Sequence, residues 1–159
     1  MQPINSKFMS LAIDEMRRGL KQGQSPFGAI VVDAKGRIIA KGHNTVVKDN
    51  DPSAHAEVNA IRAACKKLKT FKLTECTIYT TCEACPMCFS AIHWAECKEV
   101  VFGALIEDAA FLGFHELYIS NKKMRSYGKS PVKVTGPVMR KECAAAMKEW
   151  LLNSKRKVY

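Results

Sequence analysis

The sequence predicts a three-layer α/β/α domain around a central mixed five-stranded sheet. Three observations lead there. Apolar residues recur at helical spacing in some segments and as short strand-like runs in others. The two kinds follow one another as helix, hairpin, helix, strand, helix, strand, then helical material, which is the order of a layered α/β fold with a mixed sheet. The length, 159 residues, suits one domain with a single sizeable core.

Each element has its own signal. From Lys7 to Leu20 apolar residues fall at Phe8, Leu11, Ala12, Met16 and Leu20, with Asn5 or Ser6 placed to cap the start and Gly23 beyond the end. FGAIVVD is a short apolar strand, AKG a turn, and RIIAKGHN its hairpin partner. TVVKDNDPS reads as a loop. AHAEVNAIRAACKKLK is an amphipathic helix with Val58, Ile61, Ala64 and Cys65 on one face. CTIYTT is a buried strand, PMCFSAIHWAE a helix with proline at its favoured first position, and KEVVFGAL another strand. DAAFLGF gives a short helix, VKVTGPV a late strand or loop, and RKECAAAMKEWLLNS a final helix over about 138–154. No repeat, low-complexity stretch or linker interrupts residues 1–159, so one domain is expected.

Composition excludes several classes. Hydrophobic content is 47% and charged content 25%, which argues against disorder. No apolar run approaches the length of a membrane span. The opening MQPINSKFMSLAIDEM carries acidic residues among its apolar positions and no small-residue cleavage site, so a cytoplasmic protein is expected. Seven cysteines, an odd number clustered mid-chain, do not suggest a disulfide framework. Cys65, Cys76, Cys97 and Cys143 sit in apolar segments and read as buried thiols. The net charge of +10 admits a polyanion partner, although the basic residues are scattered as solvated faces and a basic tail.

The chemistry concentrates in two stretches, DPSAHAEVNAIR and TTCEACPMCFSAIHWA. His55 and Glu57 open one helix; Cys85 and Cys88 open another. A helix start carries unpaired N–H groups and partial positive charge, which lowers thiolate pKa as zinc ligation requires. His55, Cys85 and Cys88 would supply three ligands to one zinc ion per subunit. Three ligands leave a fourth tetrahedral position for water, the mark of a catalytic site. Glu57 is then the free carboxylate that moves protons. Residues two apart on a regular helix point to nearly opposite faces, so His55 and Glu57 converge only at a site off the helix end. Three other readings stand beside this one: an iron–sulfur run, though Ile92 occupies the place of a fourth cysteine; a thioredoxin-like redox pair, which leaves H-A-E unexplained; and a structural zinc held by all three cysteines with His55. Cys82 reads as a buried thiol.

H-x-E followed by P-C-x-x-C is the signature of zinc nucleobase deaminases. Here the proline before the first cysteine is replaced by Ala84, while Pro86 follows it. With SPFGAIVVD, the HN of GHN, NDPSAHAEVNAIRAAC and TCEACPMCFSAIHWA, residues 6 to about 115 resemble the cytidine deaminase-like superfamily, and within it the small guanine deaminases. Pro26-Phe27-Gly28 separates the chain from tRNA adenosine deaminases, which usually carry Pro-Val-Gly there.

The resemblance implies hydrolytic deamination of a free purine base, guanine to xanthine and ammonia, with Glu57 shuttling protons. It implies that Asn44 binds the base, Phe27 packs on it, Trp94 lines the pocket and the Ala56 backbone faces the substrate. It implies a homodimer that exchanges its C-terminal helix, with Tyr159 as a lid residue. One departure falls after Leu-Gly-Phe: His115-Glu116 replaces the two acidic residues usual in those enzymes, leaving Glu116 to make the acidic contact. A related amino-heterocycle or nucleoside (guanosine, cytosine, an aminotriazine) is the alternative if it does not. A tRNA adenosine deaminase, using the positive charge for backbone contacts, and a non-catalytic zinc protein that binds RNA or protein are the competing expectations.

Overall fold

The computed structural model describes residues 4–159. Its elements are α1 (Ile4–Lys21), β1 (Gly28–Val32), β2 (Ile38–His43), α2 (Val46–Asp49), α3 (Ala56–Leu68), β3 (Thr77–Cys82), α4 (Pro86–Trp94), β4 (Glu99–Ala104), α5 (Ile106–Phe111), α6 (Asn121–Tyr127), β5 (Lys133–Thr135), α7 (Arg140–Lys148) and a 3₁₀ turn at Glu149–Leu152. The five strands form one sheet in the order β2-β1-β3-β4-β5. β1 is antiparallel to both β2 and β3, while β3, β4 and β5 run parallel. The expected mixed five-stranded sheet is therefore present.

Successive side chains on a strand alternate between faces, and the sheet divides two cores on that period. Ile30, Val32, Tyr79 and Val101 face a cluster with α1 and α7, including Met9, Met16, Met147 and Trp150. Ala29, Val31, Ile78 and Val100 face the other cluster with α3 and α4, including Ala60, Ala64, Phe89 and Ile92. Both sides of β1 are covered, and all five of its residues are buried.

Small residues set the approach of α3. Its buried line is Ala56, Glu57, Ala60 and Ala64. Val58, Ile61 and Cys65 flank that line half-buried, so the apolar face is rotated from the one expected. The alanines let the helix lie close on β2, where a Cβ on Gly42 would sit 2.6 Å from Ala56 O and Ala60 N.

Four boundaries differ from expectation. α1 already includes Asn5 and Ser6, so neither caps it. The loop before His55 contains the single turn α2, closed by Asn50 in the left-handed conformation. α6 was not expected; NKKMRSY has little apolar periodicity, and the segment is held by its Ser120 cap, whose hydroxyl accepts from Lys123 N. The final helix is shorter than 138–154, because α7 tightens into the 3₁₀ turn at Glu149. No helix among the described residues is long and apolar enough to cross a membrane.

Candidate metal centre and active site

His55 is the N-cap of α3 and Cys85 the N-cap of α4, both with extended backbone. The two helices therefore start at the same place, and their unpaired N–H ends face one small volume. His55 lies outside its helix, so the opposite-face rule for residues two apart does not apply, and Glu57 turns into the same space. The Nδ1 of His55 stands 3.6 Å from Cys85 Sγ and 3.4 Å from Cys88 Sγ. All three donor atoms lie within 4.8 Å of one another. A tetrahedral zinc with ordinary Zn–S and Zn–N bonds needs N···S edges of about 3.6 Å. Two thiols and an imidazole at that spacing fit zinc.

Cys82 stays outside this set. Its Sγ donates to Leu105 O at 3.4 Å, and burial pushes its thiol well above the ordinary range. A four-ligand structural zinc is not what the chain assembles. Cys76, Cys97 and Cys143 are buried free thiols and Cys65 a half-buried one, as expected.

Electrostatics separate the two candidate thiol ligands. The Cys88 thiol donates to Cys85 and, with His55, draws its pKa down to about 4. Cys88 is pushed well above its usual value by the same bond and by burial. Burial opposes charge on His55, but the Cys85 hydrogen bond and the Glu57 charge raise its pKa overall. A divalent cation among them favours the thiolate of both cysteines.

Glu57 is only 5% exposed. Burial, then the Cys85 charge, raises its pKa, which makes it a better proton acceptor than an exposed carboxylate. Thr80 Oγ1 lies 2.7 Å from Glu57 Oε1 and 3.0 Å from Cys82 O. A hydroxyl has one proton. With Glu57 ionised, Thr80 donates to it; with Glu57 protonated, Glu57 donates and Thr80 turns to the carbonyl.

A cleft of about 210 Å³ opens above this floor, lined by His55, Glu57, Cys85, Phe27, Phe114, Glu116 and Tyr159 among others. That is below the range of about 300–1,000 Å³ typical of drug-sized ligands and suits one heterocycle. Aromatic rings form its wall: Phe27 and Phe114 meet edge to face at 5.0 Å, Phe114 and Tyr159 at 5.4 Å, and Tyr159 lies 6.2 Å from His55. Burial raises the Glu116 carboxyl to about 7, with the Cys85 charge adding to it.

The structure brings most of the sequence-selected residues together. Asn44 is buried beneath Tyr159, and its Nδ2 donates to the Tyr159 hydroxyl at 2.5 Å while Oδ1 accepts from Val46 N. Ala56 is buried between His55 and Glu57. Trp94 is not brought in. It ends α4, is 76% exposed and packs edge-on against His93. A site built off the start of a nine-residue helix leaves the last residue about 13 Å away along the axis. Thr80, Glu83, Phe114 and Leu117 belong to the site and were not singled out. Only Phe114, the phenylalanine of the Leu-Gly-Phe motif, had a usable signal.

The cytidine and deoxycytidylate deaminase zinc-binding region matches residues 3–104. A guanine deaminase of Bacillus subtilis is 48% identical over 113 residues, 70% of this chain and 72% of the relative. A tRNA-specific adenosine deaminase of Aquifex aeolicus is 43% identical over 98 residues, 62% of this chain and 64% of the relative. The solved guanine deaminase of Nitrosomonas europaea superposes with a TM-score of 0.85 at 28% identity, over 93% of this chain and 85% of its own.

Proposed function

The chain belongs to the cytidine and deoxycytidylate deaminase zinc-binding family, and we propose that it is a zinc-dependent aminohydrolase of a free purine base, converting guanine and water to xanthine and ammonia. The observation that carries this reading is a buried carboxylate, Glu57, beside a three-donor zinc set on the floor of a small aromatic cleft. A nucleobase fits that space; the wall of Phe27, Phe114 and Tyr159 leaves little room for a flipped nucleotide with its flanking backbone.

His55, Cys85 and Cys88 would hold the ion. When bound, zinc supplies Lewis acidity that brings the pKa of water toward neutrality. Glu57 takes a proton from water as oxygen bonds to C2 of the base and passes it to a ring nitrogen; it then takes the second proton from the new C2 hydroxyl and gives it to the amine as the C–N bond breaks and the C2 carbonyl forms. Thr80 holds Glu57 in place through both states. Asn44 presents its amide to the base edge once Tyr159 releases it, Phe27 packs on the ring, and the Ala56 backbone borders the reacting centre. Glu116 lines the same cleft, where a carboxyl raised to about 7 can accept from ring N–H groups when ionised or donate to an unprotonated ring nitrogen when protonated.

The protein acts as a cytoplasmic homodimer in this reading. Its seven free cysteines fit a reducing compartment, and exposed Trp94 and Tyr127 offer apolar surface for a second copy. α7 here packs on its own sheet beside α1. Exchange of that helix would carry Tyr159 to the partner's cleft; light scattering on wild type reports the mass, and the KM of a Tyr159→Ala variant reports the contribution of closure.

The decisive test is ammonia release by zinc-loaded protein from guanine, guanosine, adenine, cytosine, cytidine and an aminotriazine, with Glu57→Ala as blank. Turnover of guanine alone supports the assignment. Inert guanine with another member turned over keeps the zinc chemistry and overturns the substrate. A second reading, tRNA adenosine deamination, is favoured by the similarity to the Aquifex aeolicus enzyme and the +10 charge. Salt-sensitive tRNA binding with inosine formation would establish it.

A further inference from the structure

Much of the base-facing wall stands on a stretch with no regular structure. Between α5 and α6 the chain puts Phe114, His115, Glu116 and Leu117 into the cleft lining. The bonds within this stretch are short-range, Glu116 N to Phe114 O at 3.0 Å and Ile119 N to Leu117 O at 2.8 Å, and His115 N reaches Tyr159 O at 3.0 Å. No strand pairing ties it to the sheet. Phe114 seats it in the core against Phe27 and Trp150; the rest of its placement comes from what holds its ends.

Both ends converge on one residue. Glu83 follows β3, and its N–H bonds to Ala104 O at 2.8 Å. Its side chain is 8% exposed. One carboxylate oxygen accepts the backbone N–H of Asn121, the first residue of α6, at 2.8 Å. At the near end, Ala104, two residues before α5, is the acceptor of the Glu83 backbone N–H. Asn121 answers from the other direction: fully buried, it donates from Nδ2 to Ala84 O at 2.5 Å. The next residue, Cys85, is a candidate zinc ligand.

We infer that Glu83 is a positioning residue: its buried carboxylate, together with the Asn121 side chain, staples the far end of the 106–121 segment to the loop carrying Cys85, while its backbone N–H holds the near end through Ala104. The staple sets the distance between the metal ligands and the wall that recognises the base. The choice of residue follows from the donors. A buried carboxylate is costly unless its oxygens are bonded, and here the backbone N–H of Asn121 meets it. A glutamine of the same shape replaces that charge-assisted bond with a neutral one of about half the strength. The inference rests on the proposed function only in taking the cleft as the base site.

The test compares zinc-loaded wild type with Glu83→Gln in three measurements: zinc per chain, segment-resolved hydrogen exchange, and KM with kcat for guanine, alongside the affinity for 8-azaguanine. The expected result is one zinc per chain in both proteins. Exchange in 106–121 should be at least about tenfold faster in the variant, as for a lost charge-assisted hydrogen bond, with α4 unchanged. KM and the 8-azaguanine dissociation constant should each rise about tenfold while kcat stays within about threefold, the pattern of lost binding rather than lost chemistry. Unchanged exchange in 106–121, exchange raised equally along the whole chain, or loss of zinc would each overturn the staple. If neither protein turns over guanine, the substrate reading fails, and the zinc and exchange measurements still decide the staple. Should Glu83→Gln not accumulate in folded form, Asn121→Ala is judged by the same readouts.

Discussion

Glu57 and Thr80 form the part of the site where a single atom decides the outcome. Replacing Glu57 with Gln keeps the shape but removes the proton carrier. Turnover should fall about 10²–10⁴-fold while metal analysis still finds one zinc per chain. Thr80→Val keeps the volume and deletes the hydroxyl that faces Glu57 and Cys82 O. The expected result is a kcat lower by about ten- to thirtyfold, from one lost hydrogen bond to a charged group, with KM nearly unchanged. Steady-state kinetics separate the two. His55, Glu57, Cys85 and Cys88 were legible because ligand chemistry imposes both residue type and spacing. Thr80 was not. It stands beside Thr81, whose hydroxyl accepts from Gly28 N at 3.1 Å in the sheet, and nothing in CTIYTT says which threonine faces the acid. Asn44 was legible from its place after β2, but its bond to Tyr159 joins positions far apart in sequence that only folding brings together.

At the scale of elements, the site depends on how closely helices approach the sheet. Gly42→Ala forces a Cβ to within 2.6 Å of the α3 backbone, at the point where His55 and Glu57 are presented. Such overpacking costs about 1–3 kcal/mol, or about 2–12 °C in Tm at this size, and zinc retention should weaken with it. α7 is fastened by a different device. Asp108 caps Leu105 N and pairs with Arg140 at the start of α7, 3.0 Å from Nε. The Arg140 hydrogen bond holds the Asp108 pKa below the usual value. A lowered carboxylate pKa gives stability that is present above the unfolded-state value and lost as pH falls through the folded-state value. Asp108→Asn should therefore lower Tm by about 2–4 °C at pH 7, the value of a half-exposed pair at the upper end, and by less as pH falls below 4. Thermal melts across pH check this. Helices and strands with strong periodicity were legible in order and type. α6 was missed because a cap, not an apolar stripe, fixes it. Trp94 was misplaced because a helix presents its two ends to different surroundings.

On the scale of the molecule, the zinc set joins two helices that lie side by side on one face of the sheet. Removing the ion leaves two thiols and an imidazole with no common partner. With free zinc at a thousand times its Kd, chelation withdraws about 4 kcal/mol, about 8–16 °C in Tm. A melt with and without chelator, followed by zinc addition, should show that loss and its recovery. The mixed sheet and its two cores were readable from the order of elements. Of the aromatic wall, Phe27 and Tyr159 were named through the resemblance, while Phe114 was not, since its meeting with them joins three separate parts of the chain. The family match ends at residue 104, just before the segment that Glu83 holds. Reaction and part of the diet are thus written on different lengths of chain: the first on rigid helix ends, the share of the second held by Phe114 and Glu116 on a loop whose length carries no strand register. A relative wanting another heterocycle could exchange residues 112–120 as one cassette and inherit the hydrolytic machinery intact, provided the acid at 83 and the amide at 121 remain to receive the graft.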